Sequence, residues 1–258
     1  EGREHFQPAE VVILACNGVG TPRLMLNSVS GRFPNGIANS SGLVGKNLML
    51  HPYAQTYGYV DEPLDGNHGP PLCLWSQEFY ETDPQRDFVR GYTFQFGRGV
   101  GSITEAIVSE AAGRLPWGED HHKVYRELMN RRIGMSAICE DLPEEHNRVT
   151  LDRVLKDSNG IPAPRIDYTL SENSRKMLAH GVARAKEILT EAGAKNFGGE
   201  VPISNGGWHL LGTARMGTDP DRSVVNAWGR CHDVKNLFIV DGSIWVTSGG
   251  VNPTSTIQ

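Results

Sequence analysis

The hydrophobic pattern near the start of the chain predicts a strand followed by a helix. Glu10–Cys16 reads EVVILAC, a continuous apolar run rich in β-branched residues. Such a run is typical of a strand that is buried on both faces of a parallel sheet. Asn17–Gly20 interrupts it, and Thr21 and Pro22 then fit a helix N-cap and a first helical residue. The sequence therefore predicts a βα unit of the dinucleotide-binding type, with its helix ending near Asn27.

The middle of the chain alternates between apolar and polar residues, a pattern that favours antiparallel strands. It is also rich in glycine and aromatic residues. A short polar helix is predicted over 121–132. The predicted strands span 54–60, 88–96, 133–142, 148–151 and 162–170.

The clearest helical pattern runs from Ser171 to about Ala192. Ser171 is a suitable N-cap, and Glu172 is favourable in the first turn because the N-terminal end of a helix carries partial positive charge. Gly193 is placed to end the helix. One stripe at helical spacing is apolar, which predicts a helix that packs on a sheet. The stripe consists of Met177, Leu178, Val182, Ala185, Ile188, Leu189 and Ala192.

The order of these elements predicts the fold class, α/β together with α+β. An α/β piece, an antiparallel middle and a second α/β piece suggest a discontinuous, partial Rossmann-like nucleotide-binding domain interrupted by a substrate domain. We place the nucleotide-binding parts at 1–50 and 206–258. The substrate domain, mainly antiparallel sheet with helices, is placed at 51–205.

Composition narrows the classes of protein that fit. The chain has 258 residues and a net charge of -5, so it lacks the basic face that nucleic-acid binding requires. No apolar run reaches the roughly 18–20 residues of a membrane span, and no targeting segment is recognisable, so the compartment stays open. The four cysteines lie far apart without a CxxC pair. This argues against a metal site and favours plain thiols, although a disulfide stays possible.

Asp241 is the first candidate for a ligand contact. It follows a predicted strand over Leu237–Val240, and ligands of α/β sheets bind at the carboxyl ends of strands. The carboxylate is suited to accept hydrogen bonds from the hydroxyls of a cofactor. An aspartate that binds local backbone N–H groups in a turn explains the sequence equally well.

Two further segments carry candidate chemistry. His209 lies in a glycine-rich stretch, where a ligand can approach the backbone closely, and a neutral imidazole accepts a proton near physiological pH. A structural histidine beside Trp208 is the simpler alternative. Asn252 and Pro253 fit an N-cap and a first helical residue, so the positive end of a helix would favour negative charge there. Simple helix capping again accounts for the same residues.

Several motifs, taken in order, resemble the glucose-methanol-choline (GMC) family of flavin oxidoreductases. GWHLLGTARMG, NLFIVDGS and GVNPTST are similar to the family's C-terminal signature. Upstream, VVILAC with GTPRLMLNS, then LVGKNLMLHP, then EDLPEEHNRVTL resemble further family segments. The likeness covers nearly the whole chain, and six motifs in the right order are far more specific than any one of them.

The resemblance implies FAD as cofactor and a role for each matched residue. His209 would take the hydroxyl proton of an alcohol, and Asn252 would hydrogen-bond the substrate oxygen while a hydride passes to the flavin. The implied cofactor contacts are Asp241 and Gly242 at the flavin and its polyol chain, Pro253 and Thr254 at the flavin pyrimidine end, and Ala15 and Cys16 near the adenosine.

The chain departs from the family pattern in one respect. It contains no GxGxxG fingerprint to cradle the FAD pyrophosphate. We therefore expect the C-terminal portion of a longer or split enzyme that oxidises a CH–OH group, with a sugar, glycoside or polyol as the favoured substrate. The alternative is an inert fragment or subunit that needs an N-terminal FAD-binding portion as its partner. Oxidase and dehydrogenase activity both stay open.

Overall fold

The structure is a computed structural model that describes residues 5–66, 68–70, 72–202 and 208–258, without the side chains of residues 73 and 200–202. Its strands are β1 (Val12–Leu14), β2 (Tyr53–Tyr59), β3 (Leu72–Ser76), β4 (Tyr92–Arg98), β5 (Arg132–Cys139), β6 (Arg148–Lys156), β7 (Pro162–Asp167), β8 (Lys195–Pro202) and β9 (Leu237–Ile239). Its helices are α1 (Asn17–Asn27), α2 (Ser102–Ala111), α3 (His121–Leu128), α4 (Glu172–Glu191) and α5 (Thr254–Ile257), with a 3₁₀ turn over Gly242–Ile244.

The described residues form two compact units. Unit 1 comprises 5–51, 141–171 and 208–258, and unit 2 comprises 52–140 and 172–202. The segment 141–171 thus groups with unit 1, although the sequence pattern placed it in the middle domain. It does so because the hairpin of β6 and β7 packs on α1 and the Val149 N–H donates to the Gly45 carbonyl at 2.7 Å. The expected boundary at 205 and 206 lies outside the described residues.

Unit 1 contains the predicted α/β pair. β1 and β9 are parallel, with Ile13 opposite Phe238. The strand is shorter than the predicted Glu10–Cys16, and the expectation that it is buried on both faces is wrong. Val12 is 42% and Ile13 61% exposed, because β9 is the one strand among the described residues that pairs with β1.

The helix after β1 begins earlier than predicted. α1 starts at Asn17, so the expected break at Asn17–Gly20 is its first turn and Pro22 lies inside it. The Asn17 side chain accepts hydrogen bonds from the N–H groups of Val19 at 2.9 Å and Gly20 at 3.2 Å. Asn17 therefore performs the capping role that the sequence pattern assigned to Thr21.

Unit 2 is built on an antiparallel sheet in the order β3-β4-β5-β2-β8. The predicted strands over 54–60, 88–96 and 133–142 correspond to β2, β4 and β5, with shifted ends. β3, β8 and α2 were not predicted. The sequence of β8 does not show a strand pattern, because Gly198 and Gly199 interrupt its apolar residues. Both glycines lie against the ring of Tyr57.

The long helix α4 confirms the predicted helix, but its apolar stripe is buried only in part, because Ile188 is 39% exposed and Ala192, beyond the helix end, is exposed as well. It packs on β2 and β5 and buries Met177, Leu178 and Leu189. Gly193 adopts a φ of +84°. Its N–H donates to the Thr190 carbonyl, and the Ala194 N–H donates to the Leu189 carbonyl, each at 2.9 Å. This pair of bonds is the Schellman ending that the glycine predicted.

The aromatic residues of the middle segment divide into two groups. Tyr92 and Phe88 are buried, and the Phe79 ring stacks on Tyr92 with centroids 5.4 Å apart. These residues are core packing. Trp75 and Trp117 are 54% and 93% exposed, so these two rings remain largely accessible to solvent.

Cys16 is an exposed free thiol and Cys231 is a buried one, and Cys139 is buried as well. The side chain of Cys73 is not described. Within the described ranges, none of the helices combines the length and the apolar composition needed to cross a bilayer. In the same part of the chain, no group of three or more His, Cys, Asp or Glu residues is arranged to hold a metal ion.

Candidate active site

All of the predicted site residues lie in unit 1. Ala15 and Cys16 directly follow β1 and are exposed, and Asp241 follows β9 after one residue. The Val240 N–H donates to the Leu14 carbonyl at 2.9 Å and joins the two strand ends. Because parallel strands end at the same edge of a sheet, Ala15, Cys16 and Asp241 share the edge where ligands of α/β sheets bind.

The Asp241 carboxylate is largely engaged by the protein itself. Oδ2 accepts the Asn17 N–H at 3.1 Å and the Thr21 hydroxyl at 2.5 Å, and Oδ1 accepts the Ser243 N–H at 2.8 Å. The side chain is buried, and these bonds tie the end of β9 to the first turn of α1. The turn interpretation of Asp241 is thus realised in part, through partners both local and distant in sequence.

Thr213 of the GTARMG segment completes α1. Pro22 has no N–H, so it cannot bond the carbonyl four residues earlier, which belongs to Gly18. The Thr213 hydroxyl donates to that carbonyl at 2.8 Å, and Thr213 is fully buried. A proline inside the helix is therefore accommodated by a side chain 195 residues away in sequence.

Thr213→Val tests this interpretation. Valine keeps the shape but removes the donor, which leaves a buried carbonyl without its partner. We expect the free energy of unfolding to fall by about 1–3 kcal/mol, measured by urea denaturation. Thr213→Ser keeps the hydroxyl and is the matched control. Equal stability of the two variants would contradict the role of the hydroxyl.

The backbone of Leu210, the residue after His209, packs closely against two glycines. A Cβ atom on Gly18 would lie 2.4 Å from the Leu210 carbonyl oxygen, and one on Gly242 would lie 2.7 Å from the same atom. Real Cβ atoms do not approach so closely, so only glycine admits this packing. The Gly212 N–H also donates to the Gly242 carbonyl at 3.1 Å. The chain beside His209 is therefore fixed from two sides.

Backbone pairing brings a second histidine to His209. Met49 and Leu211 exchange both N–H to carbonyl hydrogen bonds, at 3.0 and 3.1 Å, in an antiparallel bridge. Antiparallel pairing continues to residues two positions away, and these point to the same face. His51 therefore faces His209. Their Nδ1 atoms are 3.3 Å apart, and their ring centroids are 4.7 Å apart.

The two rings differ in their surroundings. His51 is 1% exposed, and burial together with the neighbouring His209 lowers its pKa from 6.5 to about 3. His209 is partly exposed, and burial lowers its pKa below 6.5 as well. Both rings are thus neutral at neutral pH, and His209 is the one that a ligand can reach. His209 also has a φ of +55°, a strained value for a residue with a side chain.

Low pH is expected to destabilise the protein through His51. The unfolded chain binds a proton below pH 6.5, whereas folded His51 binds one only near pH 3, so the unfolded state binds more protons between these values. Stability is therefore complete above pH 6.5 and falls as the pH drops, with a slope of about 1.4 kcal/mol per unit from this group. Urea denaturation between pH 4 and 7 measures the slope. His51→Leu should lower the slope by the contribution of one proton, about 1.4 kcal/mol per pH unit. An unchanged slope would contradict the assignment.

Asp141 joins this arrangement, although the sequence pattern gave it no role. Its Oδ2 accepts the Leu50 N–H at 3.0 Å and the Tyr168 hydroxyl at 2.8 Å. Its N–H donates to the Ser248 hydroxyl at 2.7 Å, and that hydroxyl donates to the Asp141 carbonyl at 3.0 Å. Asp141 thus holds the residue before His51 and the start of the segment that leads to Asn252.

The last motif differs in detail from its prediction. Asn252 does not cap the helix, because α5 begins at Thr254 and Pro253 occupies the cap position. The Thr256 and Ile257 N–H groups donate to the Pro253 carbonyl at 2.9 and 3.0 Å, which opens the helix one residue later than expected. Asn252 and Thr254 are exposed, and Pro253 is buried.

The structure brings His209 together with His51, a contact that the sequence pattern does not predict. The position of Asn252 relative to His209 stays a prediction. The glycines at 206 and 207, which the sequence pattern placed before His209, lie outside the described residues. His51 and Asp141 are residues to which the sequence pattern assigns no part in the chemistry. The one available signal was that His51 lies within the LVGKNLMLHP motif.

Comparisons with known proteins give consistent findings. Residues 143–258 match the family model described as GMC oxidoreductase. The chain is 42% identical over 262 residues to 2-methyl-1,2-propanediol dehydrogenase of Mycolicibacterium austroafricanum, covering 99% of this chain and 47% of that protein. It is 33% identical over 263 residues to the fructose dehydrogenase large subunit of Gluconobacter japonicus, covering 99% and 46% respectively. The chain thus spans about half the length of these relatives.

A solved structure shares the fold. A variant of Aspergillus oryzae formate oxidase, studied for its FAD modification, superposes with a TM-score of 0.63 at 15% identity. The match covers 96% of this chain and 52% of the other. At this identity the likeness concerns the fold alone, and it confirms the predicted fold class of α/β combined with an antiparallel α+β part.

Proposed function

Because the chain belongs to the glucose-methanol-choline (GMC) oxidoreductase family, we propose that it is the C-terminal part of an FAD-dependent enzyme that oxidises a CH–OH group. The proposed substrate is a sugar, glycoside or polyol. The names of the relatives, for a diol and for fructose, support this substrate class. The observation that carries the proposal is His209, a partly exposed imidazole with a lowered pKa in the HLLGTARMG motif.

His209 is the proposed catalytic base. Its lowered pKa keeps the ring neutral, and therefore able to accept a proton, at neutral pH. We assign it the hydroxyl proton of the substrate alcohol. Asn252 is the proposed anchor, since a side-chain amide can donate to the substrate oxygen. Together the two residues would hold the CH–OH group in one orientation while its proton is removed.

The described residues fit FAD in part. When bound, FAD supplies the hydride acceptor. A carboxylate has about four lone-pair sites, and three of those on Asp241 are taken, which leaves one for a cofactor hydroxyl. Ser243 Oγ is buried and has no hydrogen-bond partner in the described part of the chain. The proposed cofactor contacts are Asp241, Gly242, Ala15, Cys16, Pro253 and Thr254.

The two units have proposed roles that follow from these contacts. The parts at 1–50 and 206–258 are assigned to the FAD-binding domain, and the part within 51–205 that forms the antiparallel sheet is assigned to the substrate domain. The segment 141–171 packs in unit 1, so we assign it to the FAD side. The residues proposed for the chemistry, His209 and Asn252, both lie in unit 1.

Anaerobic titration of the flavin tests the proposed function. The purified protein, incubated with FAD and freed of unbound flavin, should be yellow and should lose the absorbance of oxidised flavin when a polyol or hexose is added. The fully O-methylated analogue of the same compound has no hydroxyl proton to remove and should leave the colour unchanged. Bound flavin that no alcohol bleaches would refute oxidation of CH–OH groups.

The second candidate is a chain that is inert alone and functions as a binding partner. The exposed apolar side chains of β1, Val12 and Ile13, favour it, because a further strand or helix would normally cover them. The natural partner would carry the GxGxxG fingerprint that this chain lacks. A colourless preparation that becomes yellow only after such a portion is added would support this candidate over an independent enzyme.

A further inference from the structure

His51 is a buried imidazole with one polar contact. Its Nδ1 lies 3.3 Å from His209 Nδ1, and its Nε2 has no hydrogen-bond partner among the described residues. Burying a polar ring is unfavourable unless it is hydrogen-bonded. A histidine that served only the packing of unit 1 would be replaceable by an apolar residue of similar size. The contact with His209 is therefore the feature that distinguishes a histidine here.

Two nitrogen atoms at this distance share one hydrogen atom. If both carried a proton, or if neither did, the contact would be repulsive. There are consequently two arrangements of the neutral pair. In the first, His209 Nδ1–H donates to His51 Nδ1, and His209 Nε2 carries a lone pair. In the second, His51 Nδ1–H donates, and His209 carries its proton on Nε2.

Only the first arrangement allows His209 to act as a base. In the second arrangement, the one lone pair of His209 is already engaged with His51. We propose that His51 is a positioning residue that accepts the His209 Nδ1–H and thereby holds His209 in the tautomer with a free Nε2. This inference rests on the proposed function and deepens it, since it names the group that prepares the base.

The surroundings of His51 suit an acceptor. Its lowered pKa keeps a lone pair on the ring throughout the range in which His209 works. Asp141 is a charged group that contacts the residue before His51, and its Oδ2 is engaged by the Leu50 N–H and the Tyr168 hydroxyl. When His209 gains a proton at Nε2, its Nδ1–H continues to donate to His51, so the hydrogen bond is kept throughout the step.

Backbone geometry fixes the distance between the rings. The paired hydrogen bonds of Met49 and Leu211 hold both segments, and Asp141 holds the residue before His51. The strained φ of +55° at His209 persists in this setting. Strain of this kind is concentrated at functional sites, where surrounding structure imposes it. The contact is therefore imposed by the fold rather than by a mobile side chain.

Nitrogen NMR of the FAD-loaded enzyme, labelled with ¹⁵N in its histidine rings, tests the proposal directly. We expect His209 to show a protonated Nδ1 and an unprotonated Nε2. His51→Leu removes the acceptor and should shift His209 towards the tautomer protonated at Nε2. In His51→Asn, the side-chain oxygen can replace Nδ1 as acceptor and should keep the original tautomer. His232, whose Nε2 contacts Ser223 and Gly217, is the internal reference.

Flavin reduction gives the second readout. We expect His51→Leu to slow it by about 10–100-fold, as loss of a histidine-orienting partner does elsewhere, and His51→Asn to restore most of the rate. Val149→Ala, a substitution in the neighbouring core, controls for loss of stability and should keep both the tautomer and the rate. A similar tautomer change in Val149→Ala would show a purely structural role for His51 and overturn the proposal.

The outcomes separate this inference from the proposed function. If His209→Ala leaves flavin reduction unchanged, the proposed function fails whatever His51 does. If His209→Ala slows reduction but His51→Leu changes neither the tautomer nor the rate, the inference about His51 fails alone. A wild-type His209 that is protonated at Nε2 would also overturn it.

Discussion

Replacing His209 with alanine is expected to slow flavin reduction by about 10²–10⁴-fold, the usual contribution of a positioned general base. The physical reason is that an alcohol is a weak acid and needs a base to take its hydroxyl proton. Alanine provides no proton acceptor in place of the imidazole. The measurement is rapid anaerobic mixing of the FAD-loaded enzyme with a polyol, followed through the absorbance of oxidised flavin. The fall should appear in kcat as well as in kcat/KM, because the base acts in the chemical step.

A control variant and the pH dependence of the rate complete this test. His122→Ala removes an exposed histidine of unit 2 and should reduce flavin at the rate of the unchanged enzyme. The rate of the unchanged enzyme should also decline only at pH values below 6.5, because burial lowers the pKa of His209 and the neutral ring is the active form. Rapid reduction in His209→Ala would remove the histidine from the mechanism.

Gly212→Ala is expected to cause a large loss of stability. Gly212 has a φ of +91°, and an added Cβ would lie 2.2 Å from the Asn47 carbonyl oxygen. Left-handed strain and overpacking each cost about 1–3 kcal/mol, so we expect a total of about 2–6 kcal/mol. The midpoint of thermal unfolding should fall by roughly 5–20 °C for a chain of this size. Calorimetry or circular dichroism measures this change.

Other glycines of unit 1 separate the two causes. Gly42 has a φ of +68° but nothing within 4 Å of an added Cβ, so Gly42→Ala should show strain alone, about 1–3 kcal/mol. Gly31 has neither constraint, and Gly31→Ala should be close to neutral. If Gly212→Ala were no worse than Gly42→Ala, close packing against Asn47 would not limit this position.

Local patterns predicted the elements whose signals are local. The apolar stripe from Met177 to Leu189 predicted α4, because a stripe at this spacing needs a sheet to cover it. Gly193 predicted the helix end because glycine is the residue type that adopts a left-handed φ without strain, as Gly193 does here. The alternating segment 54–60 predicted β2, although that strand is buried on both faces along Thr56–Tyr59.

Elements that depend on distant residues were predicted less well. The sequence places Thr21 and Pro22 where helices usually begin, yet α1 starts at Asn17. The earlier start is possible because the Thr213 hydroxyl bonds the carbonyl that Pro22 cannot. No window of residues around Pro22 contains this information. The burial of β1 was likewise misjudged, because it depends on which strands lie beside it.

The candidate site divides in the same way. Motif order selected His209, Asp241 and Asn252, since the chemistry of imidazole, carboxylate and amide groups is visible in the sequence itself. The contact of His51 with His209 could not be predicted, because 158 residues separate them and an antiparallel bridge joins their segments.

The sequence alone determined the family, the fold class and the side chains available for proton abstraction, because motifs and hydrophobic periodicity are properties of the chain order. The tertiary structure decided which of those side chains meet. It placed a neutral, buried His51 against His209. It also hydrogen-bonded the Asp241 carboxylate to the first residues of α1, and the Thr213 hydroxyl to the carbonyl that Pro22 leaves without a partner. These contacts follow from strand register and close packing between distant segments, and such long-range pairing is not contained in any local pattern of residues.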